Sequence, residues 1–398
     1  MRMWSPQTGF TSLIQFGDQG VETFVPWVAE TKPHLRKNCG GFDGQQYAQI
    51  ATDPLLLTPE IERALDNPIY RARRIFLPWM AYVLGLGHTA WILQAYAVLN
   101  IVFYFLLLAL LIRMIRPDHF FEWACILLVM FSTGVLESVR RALTDLPALY
   151  LSLLALYWVS KHRLSSLGLL TASVLTRETT ILSSIAFING VSPARTRSEC
   201  ESNRPLALKN IFRKQSLFIL VPLAALLAWN AYLTTRFHGI FLSGGSQNLD
   251  LPLMGYIKNL IHLYQTPANG INLDRMFAIP AFIGLCIQCA YFAYWKFGNG
   301  VKCAHSQKLC MCNHDPLRNS HCVRSLWKFG VGFCLLFLIL GTAVTISQRV
   351  VCRSVLPMTV VFHLLLCEEK DAKHRWWWMA LGNLHTVYGL INFVTYRL

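Results

Sequence analysis

The chain has 398 residues, 54% hydrophobic and 14% charged, with a formal net charge of +15 and a mean hydropathy of +0.40. That balance excludes a soluble domain with an ordinary charged surface. The positive charge does not describe a nucleic-acid-binding face, because Lys and Arg sit in short segments between apolar runs, where they report membrane topology.

Residues 1–89 precede the first long apolar run and read as an extracytoplasmic loop region with interfacial helices; residues 90–398 read as a transmembrane helical domain. Met1 to Thr89 holds no signal-anchor run and carries Lys32, Arg36, Lys37, Arg63, Arg71, Arg73 and Arg74, so a further transmembrane helix is expected upstream. Within this region Gly40-Gly41-Phe42-Asp43-Gly44 places a carboxylate between glycines, which allow turns and close ligand approach. Asp43 suits a general base for an acceptor hydroxyl, or a holder of sugar hydroxyls or a metal. It suits equally a surface turn or the N-cap of a helix over Gln45 to Ala51.

Tyr47 continues this segment, and Asn67-Pro68-Ile69-Tyr70-Arg71-Ala72-Arg73-Arg74 follows. Arginines such as Arg73 and Arg74 beside aromatics suit the phosphate of a lipid carrier; an interfacial helix meeting anionic headgroups has the same composition. Ile75 to Gly87 reads as a short amphipathic or re-entrant helix.

Apolar runs that span or nearly span a hydrocarbon core occur at about 90–112, 121–137, 146–160, 216–235, 276–296, 327–347, 354–367 and 376–394. With the run at 164–189 folded as a hairpin of two short helices, the basic segments share one side of the membrane. The fold class is therefore all-α, a polytopic bundle of about 9–11 helices. Residues 1–89, 138–145, about 236–275 and 348–353 fall together on the extracytoplasmic side.

Three more polar islands lie on that side. Ser138 to Pro147 carries Asp145 ahead of an apolar helix, where capping is an alternative to sugar binding. Arg177 and Glu178 form the hairpin tip, either as a functional pair or as a turn with an internal ion pair. Arg349 and Arg353 stand at helical spacing and can clamp a phosphate, or snorkel to the interface.

Cys303, His305, Cys310, Cys312, His314, His321 and Cys322 cluster in one basic loop, but no Cys-x-x-Cys set marks a zinc ribbon, so the loop reads as reduced and cytoplasmic. Cys39 and Cys352 share the outer side and are candidates for a disulfide.

Gly-Phe-Asp-Gly-Gln-Gln-Tyr-Ala-Gln-Ile-Ala, Asn67 to Arg71, Leu143-Thr144-Asp145-Leu146-Pro147 and Leu175-Thr176-Arg177-Glu178-Thr179 together resemble the GT-C superfamily of integral-membrane glycosyltransferases. The flavour is that of bacterial relatives of the GPI-anchor mannosyltransferases, whose first external loop carries a Trp/Tyr-Asp-Gly-x-x-Tyr-x-x-Ile-Ala motif. The resemblance covers about 40–190 well and the rest only as a hydrophobic plan. Phe42 departs from the usual Trp or Tyr, and Leu146 separates Asp145 from Pro147.

The resemblance implies inverting transfer of a sugar from a polyprenyl-phosphate carrier to a glycan, lipid or protein acceptor. Transfer would occur at the outer face of a bacterial plasma membrane. Asp43 matches the family's catalytic or metal-associated carboxylate; Tyr47, Asp145, Arg177 and Glu178 fall at substrate-binding positions. The lipid phosphate is expected on Arg73, Arg74, Arg349 and Arg353. A divalent cation can assist leaving-group departure, although no dense carboxylate cluster requires one. The competing classes are a transporter or flippase of lipid-linked glycans, with 164–189 as its broken helix, and an inactive relative lacking its first helix.

Overall fold

The computed structural model describes residues 4–188, 204–238, 248–265, 273–298, 320–369 and 371–395. Among these residues the chain is helical, with β pairing confined to a parallel pair, Phe16–Gly17 with Leu35–Arg36, and two isolated bridges. The Cys/His loop of 303–322 lies outside the described residues except for its last three, which open the helix Ser320–Leu338.

Before Thr89 the chain forms short helices: Pro26–Glu30, Asp43–Thr52, Pro59–Ala64, Pro68–Ala72 and Phe76–Leu84. Pro26, Pro59 and Pro68 open three of them, where a fixed φ suits the helix and the missing N–H costs no bond. Asp43–Thr52 is buried from Gly44 to Ala51 and packs on Phe76–Leu84 and Thr89–Ile115. Phe76–Leu84 buries Leu77, Pro78 and Ala81 but exposes Trp79, Tyr82, Val83 and Leu84. Its outer face is thus apolar, which departs from the amphipathic form, though not from the re-entrant form, of the expected helix.

Three helices have the length and apolarity to cross a membrane: Thr89–Ile115, Gln215–Phe237 and Met276–Phe297. Thr89–Ile115 has 27 residues, roughly 40 Å of helix against a hydrocarbon core of roughly 30 Å. Two further candidates are bent pairs, Phe120–Met130 with Thr133–Arg140 at 43° and Gln348–Ser354 with Leu356–Cys367 at 61°, so up to five spans are present among the described residues. These are the dimensions of a membrane protein.

Other expected spans prove interrupted. The 121–137 run is broken between the two helices of the first bent pair, and 354–367 is the second half of the other; Pro357, at the start of Leu356–Cys367, has no N–H to carry the helix across the 61° bend. Asp145–Trp158 has 14 residues, about 21 Å, too short to cross alone. The 327–347 run stops as a helix at Leu338, and 376–394 breaks at Asn383, between Ala372–Gly382 and Leu384–Thr395. There the buried Asn383 amide donates to the Met379 carbonyl at 2.7 Å and lies 3.1 Å from His363 Nε2.

The 164–189 segment folds back, but not as two α-helices. Arg163–Thr176 is α-helical, Arg177 is extended at φ −154°, and Glu178–Phe187 is a 3-10 helix. Hydroxyls compete for the backbone in the second arm: Thr180 Oγ1 donates to the Arg177 carbonyl at 2.8 Å and Ser183 Oγ to that of Thr180 at 2.6 Å. The first arm packs along Asp145–Trp158, with Ser173 Oγ donating to Ala148 and Ser166 Oγ to Ala155 across the interface.

Candidate functional site

Asp43 opens the helix Asp43–Thr52, where the helix dipole favours a carboxylate. Gly41 turns the chain into it at φ +86° and Phe42 is the extended N-cap. Gln45 fixes that turn, accepting from Gly17 N at 3.1 Å and donating to the Gly40 carbonyl at 2.9 Å. Asp43 is therefore not the N-cap itself, and its side chain turns to two arginines.

Arg71 Nη1 donates to Asp43 Oδ1 at 2.9 Å, and Arg353 Nη2 to Oδ2 at 2.7 Å. Burial alone would raise the Asp43 pKa, but the charges of Arg353 and Arg71 hold it well below the usual carboxylate range. Arg71 is itself braced by Asp66, through Nε at 2.8 Å and Nη2 at 2.7 Å, in the bidentate geometry that suits a guanidinium. Asn67 caps the helix Pro68–Ala72 by accepting from Tyr70 N; Arg71 lies in its last turn and Arg74 just beyond its C-cap Arg73.

Arg74 is buried and grips Glu178 with Nε at 3.0 Å and Nη2 at 2.9 Å. It also donates to the Tyr47 hydroxyl and, at 3.2 Å, to that of Tyr70. Burial would raise the Glu178 pKa, but the Arg74 charge and hydrogen bonds outweigh it and bring it down to about 2. Tyr47 is 1% exposed and stands behind the site, ordering Arg74. Arg73 keeps its guanidinium 5.9 Å from the Tyr70 ring centroid.

Arg177 pairs with Asp145 and donates to Ser354 Oγ at 3.2 Å, beside Arg353. Arg177 and Glu178 thus each find a partner on another element rather than forming only an internal pair. Asp145 is buried in the first turn of its helix, and the N-cap there is Thr144. Arg349 and Arg353 share the helix Gln348–Ser354.

Four participants were not singled out as site residues in the sequence. Tyr70 and Arg71 lie inside the 67–74 segment and Asp66 just before it, and only the fold distinguishes Arg71 from Arg73. Glu137 is the fourth: it takes Arg141 Nε at 2.9 Å and lies 3.9 Å from Arg140. Its signal was a carboxylate in an apolar run. Arg141 also stacks 4.1 Å from the Phe42 ring centroid, with Arg36 at 5.4 Å. Burial lowers the Arg141 pKa to about 10; Glu137 opposes this, and Arg349 and Arg353 add to it.

Eight guanidiniums, of residues 71, 73, 74, 140, 141, 177, 349 and 353, thus meet five carboxylates, of Asp43, Asp66, Glu137, Asp145 and Glu178. The surplus is positive, and the arrangement can receive an anion. Asp43, Asp145 and Glu178 are each engaged by arginine, and among the described residues no group of three or more His, Cys, Asp or Glu side chains is placed to bind a metal ion. Cys39 and Cys352 are free thiols, the second buried, which corrects the expected disulfide.

Compared with protein-family models, with curated proteins and with solved structures, the chain matches none.

Proposed function

We propose that the protein is a membrane glycosyltransferase of the GT-C type, moving a hexose such as mannose from a polyprenyl-phosphate carrier to a hydroxyl acceptor. One observation carries this reading: Asp43, one quarter exposed, sits in the positive arginine cluster that also gathers Asp145, Arg177, Glu178 and Arg353. A carboxylate and several guanidiniums at one point supply what such a transfer needs.

In this reading the phosphate of the donor lies against the arginines, with Arg353 and Arg71 nearest Asp43. The acceptor oxygen forms a bond to the anomeric carbon as the bond from that carbon to the phosphate oxygen breaks, inverting the centre. The acceptor proton passes to Asp43, and the charge left on the phosphate is stabilised by guanidiniums already in place. No step needs a metal. The bundle of about 9–11 helices, with residues 1–89 facing the exterior of a bacterial plasma membrane, belongs to the same proposal. The apolar outer face of Phe76–Leu84 gives that region a seat on lipid.

The test is sugar transfer by the full chain in liposomes supplied with polyprenyl-phosphate mannose or polyprenyl-phosphate glucose and membrane-extract acceptors. Transfer is expected for the natural sequence and its loss for Asp43→Asn. Normal transfer by Asp43→Asn would overturn the reading.

A further inference from the structure

Asp43 poses a chemical difficulty as a base. Two cations share its two oxygens, and a carboxylate so neutralised accepts a proton poorly. The two arginines are not equivalent. Arg71 makes three charge-assisted hydrogen bonds, one to Asp43 and two to Asp66, and swinging it away would break all three. Arg353 makes one hydrogen bond among the described residues, to Asp43 Oδ2, and its buried Nε bonds to nothing there.

We propose that Arg353 is an exchanging arginine: a phosphate group entering the cluster takes its guanidinium from Asp43, leaving the carboxylate on Arg71 alone. This rests on the reading of the cluster as a phosphate site. Arg71 is then a positioning residue, which keeps Asp43 in place when Arg353 leaves. Removal of one of the two adjacent cations strengthens Asp43 as a base, and it does so only when the donor phosphate is present. Without donor, Asp43 stays neutralised and activates no hydroxyl, so water is not drawn into the reaction.

The geometry allows the exchange. The Asp43, Arg71 and Arg353 side chains keep 25%, 14% and 14% exposure, whereas the Arg177–Asp145 pair behind them is closed at 10% and 3%. Arg349, one helical turn before Arg353, offers a second guanidinium to the same anion. The gain for Arg353 is a second charge-assisted hydrogen bond: its idle Nε and an Nη can together meet two phosphate oxygens, where now one Nη meets Asp43.

The experiment is a mutant cycle read by calorimetric titration of inorganic phosphate into the full chain in detergent. Arg353→Gln is expected to weaken phosphate binding roughly thirtyfold or more. Asp43→Asn, which removes the competitor, is expected to tighten binding severalfold when Arg353 is present and to have no such effect with Arg353→Gln. Tightening by Asp43→Asn of the same size in both backgrounds would mean simple charge repulsion and would overturn the exchange, leaving the phosphate site intact. Absence of phosphate binding to the natural sequence would overturn both. Where Arg353→Gln does not fold, Arg353→Lys, which keeps the charge and loses the planar fork, completes the cycle with an intermediate affinity.

Discussion

A Cβ placed on Gly44 would run into the carbonyl oxygen of Arg141, so the helix carrying Asp43 lies directly on the turn that follows Thr133–Arg140. This contact sets the depth of Asp43 in the cluster. Ile14, whose carbonyl approaches the same position at 3.1 Å, closes the other side.

Gly44→Ala is therefore expected to push the helix off its seat and to cost about 1–3 kcal/mol of stability. The readouts are melting temperature in detergent and sugar transfer, both of which should fall. A fully active Gly44→Ala protein with unchanged melting would show that the contact is not needed.

The Arg74–Glu178 pair predicts a different signature. Removing one charge leaves the other buried, so Glu178→Gln should cost about 3–5 kcal/mol, and the paired replacement Arg74→Met with Glu178→Leu should cost less. The natural pair also makes the protein acid-sensitive. The folded-state pKa of Glu178 is about 2, below its ordinary value of 4.5. Its contribution is thus fully present above about pH 4.5 and is lost as pH falls towards 2. Melting followed from pH 6 to pH 2.5 should show this loss in the natural protein and a shallower one in the paired replacement.

The thiols give a third expectation. Cys39 is partly exposed and Cys352 is 2% exposed, both reduced. A maleimide should label Cys39 in the folded protein and reach Cys352 only after unfolding, as read by peptide mass spectrometry. A cross-linked Cys39–Cys352 peptide under non-reducing conditions would contradict the structure.

The outline of this site was legible in the sequence because charge is costly in an apolar chain. Arg177 and Glu178 interrupt a hydrophobic run, and the backbone does break at Arg177. What was not legible is pairing. Arg71, Arg73 and Arg74 look alike in the sequence, yet Arg71 braces Asp43, Arg74 is sunk against Glu178, and Arg73 does neither. Spacing along a short helix places side chains on a face but does not say what the rest of the fold brings to it. Interrupted spans were hidden for a related reason: a single residue such as Asn383 scarcely alters the hydropathy of the run around it, but its buried amide takes part in the break.

Arg353 stands 310 positions after Asp43 along the chain. During synthesis Asp43, Asp66 and Arg71 are all present early, so the carboxylate has one partner long before it has the other. The complete cluster requires Gln348–Ser354, which is made long after the rest of it. The order of synthesis thus fixes the order in which the two cations become available to Asp43, Arg71 first and Arg353 last.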